Sequence, residues 1–346
     1  MKGLKKTDLN VLVIGCGSIG TRHIHNLAKL GIKKINICDV NKNNVKKVSK
    51  KFKVKEFFDV RLALESKPDL TFICTYPNSH IELANMCIRA NSNIFIEKPL
   101  SSNINNVEKM LKLAKNKKIQ VAVGYNLRFD KGLNLIKEKL KRNEIGNPLS
   151  IFSYWGQNIK LWKPGTDYKN HYILKKGSGI ILDDSHEYDY IRWLFGSEVE
   201  SVYCQTKKLK NIKTETESIA TINMKLKKGP MASLVIDYVR PNYEQGCQII
   251  GEKGDIKWSY ELKKSAWKDY SLIANSKVNT SKLNKKKKIN SNYVKVNDMY
   301  IDEVENVINS VLENKKPKID GWDALKTLKI GVALLESASK DKIIKL

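Results

Sequence analysis

The sequence predicts an α/β protein in two parts: an N-terminal doubly wound parallel sheet, then a C-terminal α+β domain with a large open, mainly antiparallel sheet. Three observations carry this. Strand-like and helix-like segments alternate through the first 124 residues. An apolar run leads into glycines spaced G-x-G-x-x-G and then a helical pattern. Beyond Gly146-Asn147-Pro148, long alternating strands follow one another with hairpin-like turns such as Lys227-Lys228-Gly229-Pro230. With roughly 100–200 residues per domain as the usual range, 346 residues divide naturally into two domains, 1–124 and 125–346.

The first strand, 10–14, runs into Gly15-Cys16-Gly17-Ser18-Ile19-Gly20, and a helix follows from Thr21 to Leu30. In that context the glycines point to a dinucleotide site. Gly15 permits the sharp turn, Gly17 admits backbone close to a pyrophosphate, and Gly20 lets the helix pack on the strand. The Ser18 and Ile19 amides, at the positive end of the helix, face the phosphates. A glycine turn that binds nothing is the alternative.

Further strands are expected at 34–38, 54–57, 70–74, 93–96 and 119–123, with helices at 41–51, 78–90 and 104–116. Ligands of such sheets bind beyond the carboxyl ends of the strands. After the second strand stands Asp39, 19 positions beyond Gly20, suited to accept hydrogen bonds from the adenosine ribose. A 2′-phosphate would meet that carboxylate with no arginine nearby, so the cofactor is NAD in preference to NADP; alternatively, Asp39 caps the next helix. After the fourth strand come Thr75 and His80, with Pro77 between them; His80 is either a cofactor contact or a polar residue of a first helical turn. After the fifth come Glu97-Lys98-Pro99, which direct a lysine toward the crevice where a nicotinamide would lie, so that Thr75, Glu97 and Lys98 are expected cofactor contacts. The sixth strand ends in Gly124-Tyr125-Asn126-Leu127-Arg128-Phe129.

In the second part a strand is expected at 149–155, an irregular stretch at 156–176 containing Trp162 and Tyr172, and one helix at 179–195. Strands follow at 199–206, 218–226, 232–239, 245–250 and 255–260. A polar loop, 275–292, contains the lysine run 285–288, and helices at 296–313 and 322–339 close the chain. The helix at 179–195 gathers Asp183, His186 and Asp189 at intervals of three, so they would share one face. A carboxylate beside an imidazole is the usual way to tune a proton-transfer group. A divalent-metal site using Glu187 as well, or a structural polar network, are the competing readings.

Composition narrows the partners. The formal charge is +27, yet only seven of the 63 basic residues are arginine, and lysines are spread through every segment, so no nucleic-acid partner is expected. No apolar run approaches the roughly 20 residues of a membrane span, and no signal peptide is expected, which favours the cytoplasm. The six cysteines show no C-x-x-C pair, which fits a reducing compartment.

Taken together, Gly15 through His23, Glu97-Lys98-Pro99, Gly124-Tyr125 with Arg128-Phe129, and the glycine-led Asp/His segment ending at Phe195-Gly196 resemble the Gfo/Idh/MocA oxidoreductases. The resemblance implies a Rossmann domain, a second domain with an open sheet, and assembly into dimers or tetramers through exposed sheet faces. It implies catalysis by Lys98, Asp183 and His186 on a carbohydrate or cyclic polyol, with Glu187 in reserve for the proton. No metal is expected, since no second ligand group stands out elsewhere in the sequence. Here Asp183 and His186 are three apart where four is commoner; Tyr76 interrupts the usual Thr-Pro-Asn, and Ser178 replaces a common glycine. The expected reaction is hydride transfer between NAD and a hydroxyl-bearing carbon of a sugar, amino sugar, nucleotide-sugar or polyol. Asn126, Arg128, Trp162 and Tyr172 are the candidate substrate contacts. A glycosidase that retains NAD, and a non-catalytic NAD-binding protein, are the alternatives.

Overall fold

Six parallel strands form the first sheet in a computed structural model of the chain, which describes residues 5–161, 167–170, 172–174, 178–210, 212, 214–262, 272–282 and 285–346. They are β1 (Asn10–Ile14), β2 (Lys34–Cys38), β3 (Lys55–Phe57), β4 (Leu70–Ile73), β5 (Asn93–Glu97) and β6 (Val121–Gly124). Their order, β3-β2-β1-β4-β5-β6, reverses direction between β1 and β4, which is the switch point where open α/β sheets bind ligands. The apolar runs of β1, β4 and β6 are buried without alternation, as expected of strands covered on both faces. Helices α1 (Ser18–Lys29), α2 (Lys42–Phe52), α3 (Val60–Leu64), α4 (His80–Arg89) and α5 (Val107–Asn116) occupy the crossovers.

The second sheet has nine strands and begins after α6 (Lys131–Lys141). It comprises β7 (Pro148–Gly156), β8 (Val199–Lys207), β9 (Ile219–Leu226), β10 (Met231–Asp237), β11 (Glu244–Gly251), β12 (Gly254–Leu262), β13 (Ile273–Lys282), β14 (Lys285–Lys295) and β15 (Ile344–Lys345). In the order β14-β13-β12-β11-β7-β10-β9-β8-β15, only β7 and β10 run parallel. Burial alternates residue by residue along β9 and β10, so one face is packed and the other is not.

Two expectations are corrected here. The described residues of the polar stretch 275–292 are paired antiparallel strands, β13 with β14, and not a loop. Its buried positions include Ser276 and Thr280 as well as Ala274 and Val278, so its period of two is masked by polarity; Ser276 is accommodated by the Trp258 indole N–H, which donates to its Oγ at 3.1 Å. The single helix expected at 179–195 is two, α7 (Ile180–Asp183) and α8 (His186–Phe195). The backbone leaves the helical region at Asp184, where ψ is +39°.

By its contacts the chain divides into two compact units, 1–125 with 300–328, and 126–299 with 329–346. By contacts, the first unit thus also takes in 300–328, beyond the cut at 124/125. Helices α9 (Val296–Leu312) and α10 (Gly321–Lys340) are each shared by this division. Val304, Val307 and Ile308 belong to the same buried cluster as Val11, Val13, Ile24, Leu27, Phe72 and Phe95, which explains why residues from 300 onward belong with the first sheet.

Candidate active site

In the first unit each glycine of the turn does a separate task. Gly15 has φ +99°, and a Cβ there would stand 2.5 Å from the Cys74 carbonyl oxygen. A Cβ on Gly20 would stand 1.8 Å from the Gly15 oxygen. Gly17 has ordinary backbone angles and a Cβ there would meet no protein atom within 4 Å. Two glycines are thus demanded by the protein's own packing, and the third borders open space. Gly17 is also the N-cap of α1 and offers no side-chain cap, so the amides of Ser18 and Ile19 have no capping side chain from this position. This arrangement fits a pyrophosphate.

Asp39 follows β2 and is half-buried. Its Oδ2 accepts the Cys16 N–H at 2.7 Å and its Oδ1 accepts the Asn41 N–H at 2.8 Å. It does not cap α2, because Asn41 does so through Asn43 and Asn44. Asp39 instead clamps the glycine turn, and a carboxylate has lone pairs to spare for ribose hydroxyls. Thr75, after β4, shares a hydrogen bond of 2.7 Å with Ser79.

Two expected cofactor contacts point inward. His80 is fully buried, with Nδ1 3.1 Å from the Pro99 oxygen and Nε2 3.1 Å from the Thr75 oxygen; burial lowers its pKa against the upward pull of those carbonyls. It braces two turns through these contacts. Glu97 is buried too, its Oε1 2.6 Å from His23 Nε2 and its Oε2 accepting the Lys98 N–H at 3.2 Å. Lys98, just beyond β5, keeps partial exposure.

In the second unit the carboxylates of the 183–189 segment take different partners. The Tyr238 hydroxyl donates to Asp183 Oδ2 at 3.3 Å. Asp189 takes both arms of Arg128, at 2.8 and 2.7 Å, with both residues buried. Arg128 is therefore not presented as a substrate contact: it pins α8, and removing either partner of such a pair typically costs about 3–5 kcal/mol. Asn126 is buried as well, its amide donating to Met299 Sδ at 3.0 Å. Trp162 and the side chain of Tyr172 lie outside the described residues.

Glu187 faces the sheet, fully buried. Its Oε1 accepts the Gln245 amide at 2.7 Å, and Ser153 Oγ, itself 2.6 Å from the Tyr190 hydroxyl, bonds to Oε2. With both oxygens taken it does not serve as the reserve proton-transfer group. Since Glu187 and Asp189 are committed apart, the four residues do not converge on a metal, and among the described residues no group of three His, Cys, Asp or Glu is arranged to hold one. Of Asp183, Asp184, His186, Glu187 and Asp189, His186 alone is not fully buried, and it opens α8.

Burial pushes Glu187 up to about 7. Between its unfolded value near 4.5 and about 7 the folded chain holds the extra proton, so this contribution to stability is complete below pH 4.5 and lost as pH rises through 7. The span is on the order of 3 kcal/mol. Glu187→Gln keeps the shape without the charge. Its stability relative to wild type, from urea denaturation, should therefore rise between pH 4.5 and 8; an equal difference at both ends would sink this account.

Sequence reasoning missed Glu217 and Gly331. Glu217 Oε1 accepts the Ile181 N–H at 3.2 Å, and a Cβ on Gly179, where φ is +115°, would lie 2.3 Å from that same oxygen. A Cβ on Gly331 would lie 2.6 Å from the Tyr188 hydroxyl, which donates to the Ile181 oxygen and ties α8 to α7. Only tertiary contact reveals either one. The six cysteines are free and buried; burial foremost pushes Cys16, Cys38, Cys87 and Cys204 up to about 12, which leaves no thiolate nucleophile among these four at neutral pH.

A glycine turn at the switch point, a ribose-ready carboxylate after β2 and a lysine after β5 define a nicotinamide-dependent oxidoreductase by class. Residues 9–125 match the model described as "Oxidoreductase family, NAD-binding Rossmann fold", and residues 137–346 match "Oxidoreductase family, C-terminal alpha/beta domain". The chain belongs to the Gfo/Idh/MocA oxidoreductase family, and its first domain is an NAD-binding Rossmann domain. It is 27% identical to myo-inositol 2-dehydrogenase of Thermotoga maritima, over 98% of both chains. It is 24% identical to glucose-6-phosphate 3-dehydrogenase of Bacillus subtilis, over 71% of this chain and 73% of that one. Among solved structures it resembles an oxidoreductase from Agrobacterium radiobacter in complex with NAD+, L-tartaric acid and magnesium (TM-score 0.84, 20% identity, 98% of both chains). It also resembles the WlbA dehydrogenase from Bordetella pertussis in complex with NADH and UDP-GlcNAcA (TM-score 0.80, 21% identity, 98% of both chains).

Proposed function

We propose that this enzyme is an NAD-dependent dehydrogenase acting on a ring hydroxyl of a sugar or cyclic polyol, or on the corresponding carbonyl in reverse. The observation that carries the reading is selective exposure. Glu97, His80, Glu187 and Asp189 are buried in internal contacts, whereas Lys98 and His186 retain exposure at the carboxyl end of a strand and the start of a helix. The names of relatives, myo-inositol 2-dehydrogenase and glucose-6-phosphate 3-dehydrogenase, support the substrate class.

Gly15, Gly17 and Gly20 with the amides of Ser18 and Ile19 hold the pyrophosphate, Asp39 holds the ribose, and Thr75 lies along the same strand ends. NAD, when bound, supplies the hydride acceptor. His186 accepts the proton of the reacting hydroxyl, and in the reverse direction donates it. Lys98 orients that oxygen and stabilises its developing negative charge. Asp183 orients the substrate or His186.

We also place the protein in the cytoplasm, where reduced cysteines persist; no helix among the described residues is long and apolar enough to cross a membrane. Phe152, Met231 and Ile250 share one face of the second sheet and are 47%, 75% and 46% exposed, which suits self-association through that face. Sugars, polyols and nucleotide-sugars offered with NAD, and their keto forms with NADH, test the activity by NADH absorbance. Net NADH formation in proportion to substrate consumed is expected. Hydrolysis of a glycoside without net NADH would replace the dehydrogenase by an NAD-retaining glycosidase, and saturable NAD binding with no turnover would leave a binding protein.

A further inference from the structure

His23 belongs to the turn motif but has no task in the proposed reaction. It sits fully buried on α1, the helix that the cofactor glycines begin, with its ring against Phe72 and Phe95 at centroid distances of 5.4 and 5.1 Å. Its Nδ1 has no hydrogen-bond partner. Its Nε2 is 2.6 Å from Glu97 Oε1, and the other Glu97 oxygen takes the backbone N–H of Lys98 at 3.2 Å. One carboxylate therefore joins α1 to the peptide of the residue that the reaction needs.

The surroundings leave that carboxylate few alternatives. Gly124 on β6 lies against it, where a Cβ would come within 3.3 Å of Glu97 Oε2. Glu303 on α9 is 1% exposed with no hydrogen bond to either oxygen; burial first, and the Glu97 charge second, hold its carboxyl well above the usual range. His23 is the side chain that Glu97 meets, at 2.6 Å.

We propose that His23 and Glu97 form a positioning pair that seats Lys98 from the cofactor-binding helix. The consequence for catalysis rests on the dehydrogenase reading, in which Lys98 touches the reacting oxygen; the consequence for the lysine's placement does not. In Glu97→Gln, one of the two contacts becomes donor against donor whichever way the amide is turned, unless the imidazole moves its proton to Nδ1, where no acceptor waits. Turned one way, the amide opposes the Lys98 N–H directly; turned the other, it loosens the His23 tie that holds the side chain in place, and neither response touches the glycine turn.

The test compares wild type with Glu97→Gln, His23→Gln and the double variant, each at full length. Four readouts are taken: NAD affinity by fluorescence titration, kcat and KM, thermal melting, and the rate at which an amine reagent labels Lys98 relative to exposed Lys112 and Lys115, read by mass spectrometry. The expected result is NAD affinity held within about threefold while the relative labelling of Lys98 shifts by about threefold or more in both single variants. The kcat falls about 10- to 100-fold with a smaller change in KM, and the double variant is no worse than the worse single one. Unchanged Lys98 labelling in folded single variants would overturn the proposal, whatever happens to the melting temperature. If Glu97→Gln is recovered unfolded, His23→Gln decides alone by the same labelling ratio. A wild type that turns over no substrate defeats the dehydrogenase reading and leaves the labelling result to judge the pair.

Discussion

Lys98→Ala is expected to lower kcat by roughly 10²- to 10⁴-fold, and His186→Gln by a similar factor, with NAD affinity nearly unchanged. In a chain with 63 basic residues a lysine carries no signal by type. Lys98 carries it because it follows β5, its backbone is held by Glu97, and the neighbouring Pro99 oxygen is held by His80. His186 carries it because it keeps exposure at the start of α8, where Glu187 and Asp189 are committed to internal contacts. Steady-state kinetics with the best substrate from the screen, beside an NAD titration, reads both variants. Turnover within a few-fold of wild type for either one would remove that residue from the chemistry.

Gly17→Ala and Gly20→Ala should fail in opposite ways. Gly20→Ala drives a Cβ to 1.8 Å from the Gly15 carbonyl oxygen, so the turn or the helix must shift. Overpacking of this kind costs about 1–3 kcal/mol and sometimes more, and it should appear as a lower melting temperature. Gly17→Ala adds its methyl to a space that no protein atom occupies, and it should melt within about 0.5 kcal/mol of wild type. That methyl stands where the pyrophosphate backbone must approach, so NAD affinity should fall about tenfold or more, or about 1.4 kcal/mol for each tenfold. Unaltered NAD binding by Gly17→Ala would show that the turn does not cradle the phosphates.

The glycine variants also show why some of the site was legible in the sequence. The turn is a local motif, and its glycines, Asp39 and Lys98 each follow a strand that could be read from an apolar run, so their positions at the strand ends followed directly. The residues grouped near 183–189 were not legible in the same way. Their spacing of three implied a shared helix face, but the break at Asp184 and Ser185 sends Asp183 to Tyr238, Glu187 to Ser153 and Gln245, and Asp189 to Arg128. Spacing along a chain specifies neighbours only while the helix persists. Arg128 and Asn126 read as substrate contacts for a related reason: an arginine sealed against a buried carboxylate and one facing a ligand are identical in sequence.

By itself the sequence determined the two-part α/β architecture, the family, the cofactor class and the identity of Lys98 and His186 as candidates, because these rest on local turns, strand ends and motif order. Tertiary structure alone decided which ionisable groups are spent on the fold. Burial and hydrogen-bond partnership depend on residues far apart in the chain, as His23 and Glu97 are, or Glu187 and Gln245. It also decided that residues 300–328 return to the first unit, because Val304, Val307 and Ile308 find their apolar partners on β1, α1 and β4, almost 300 residues earlier at the furthest.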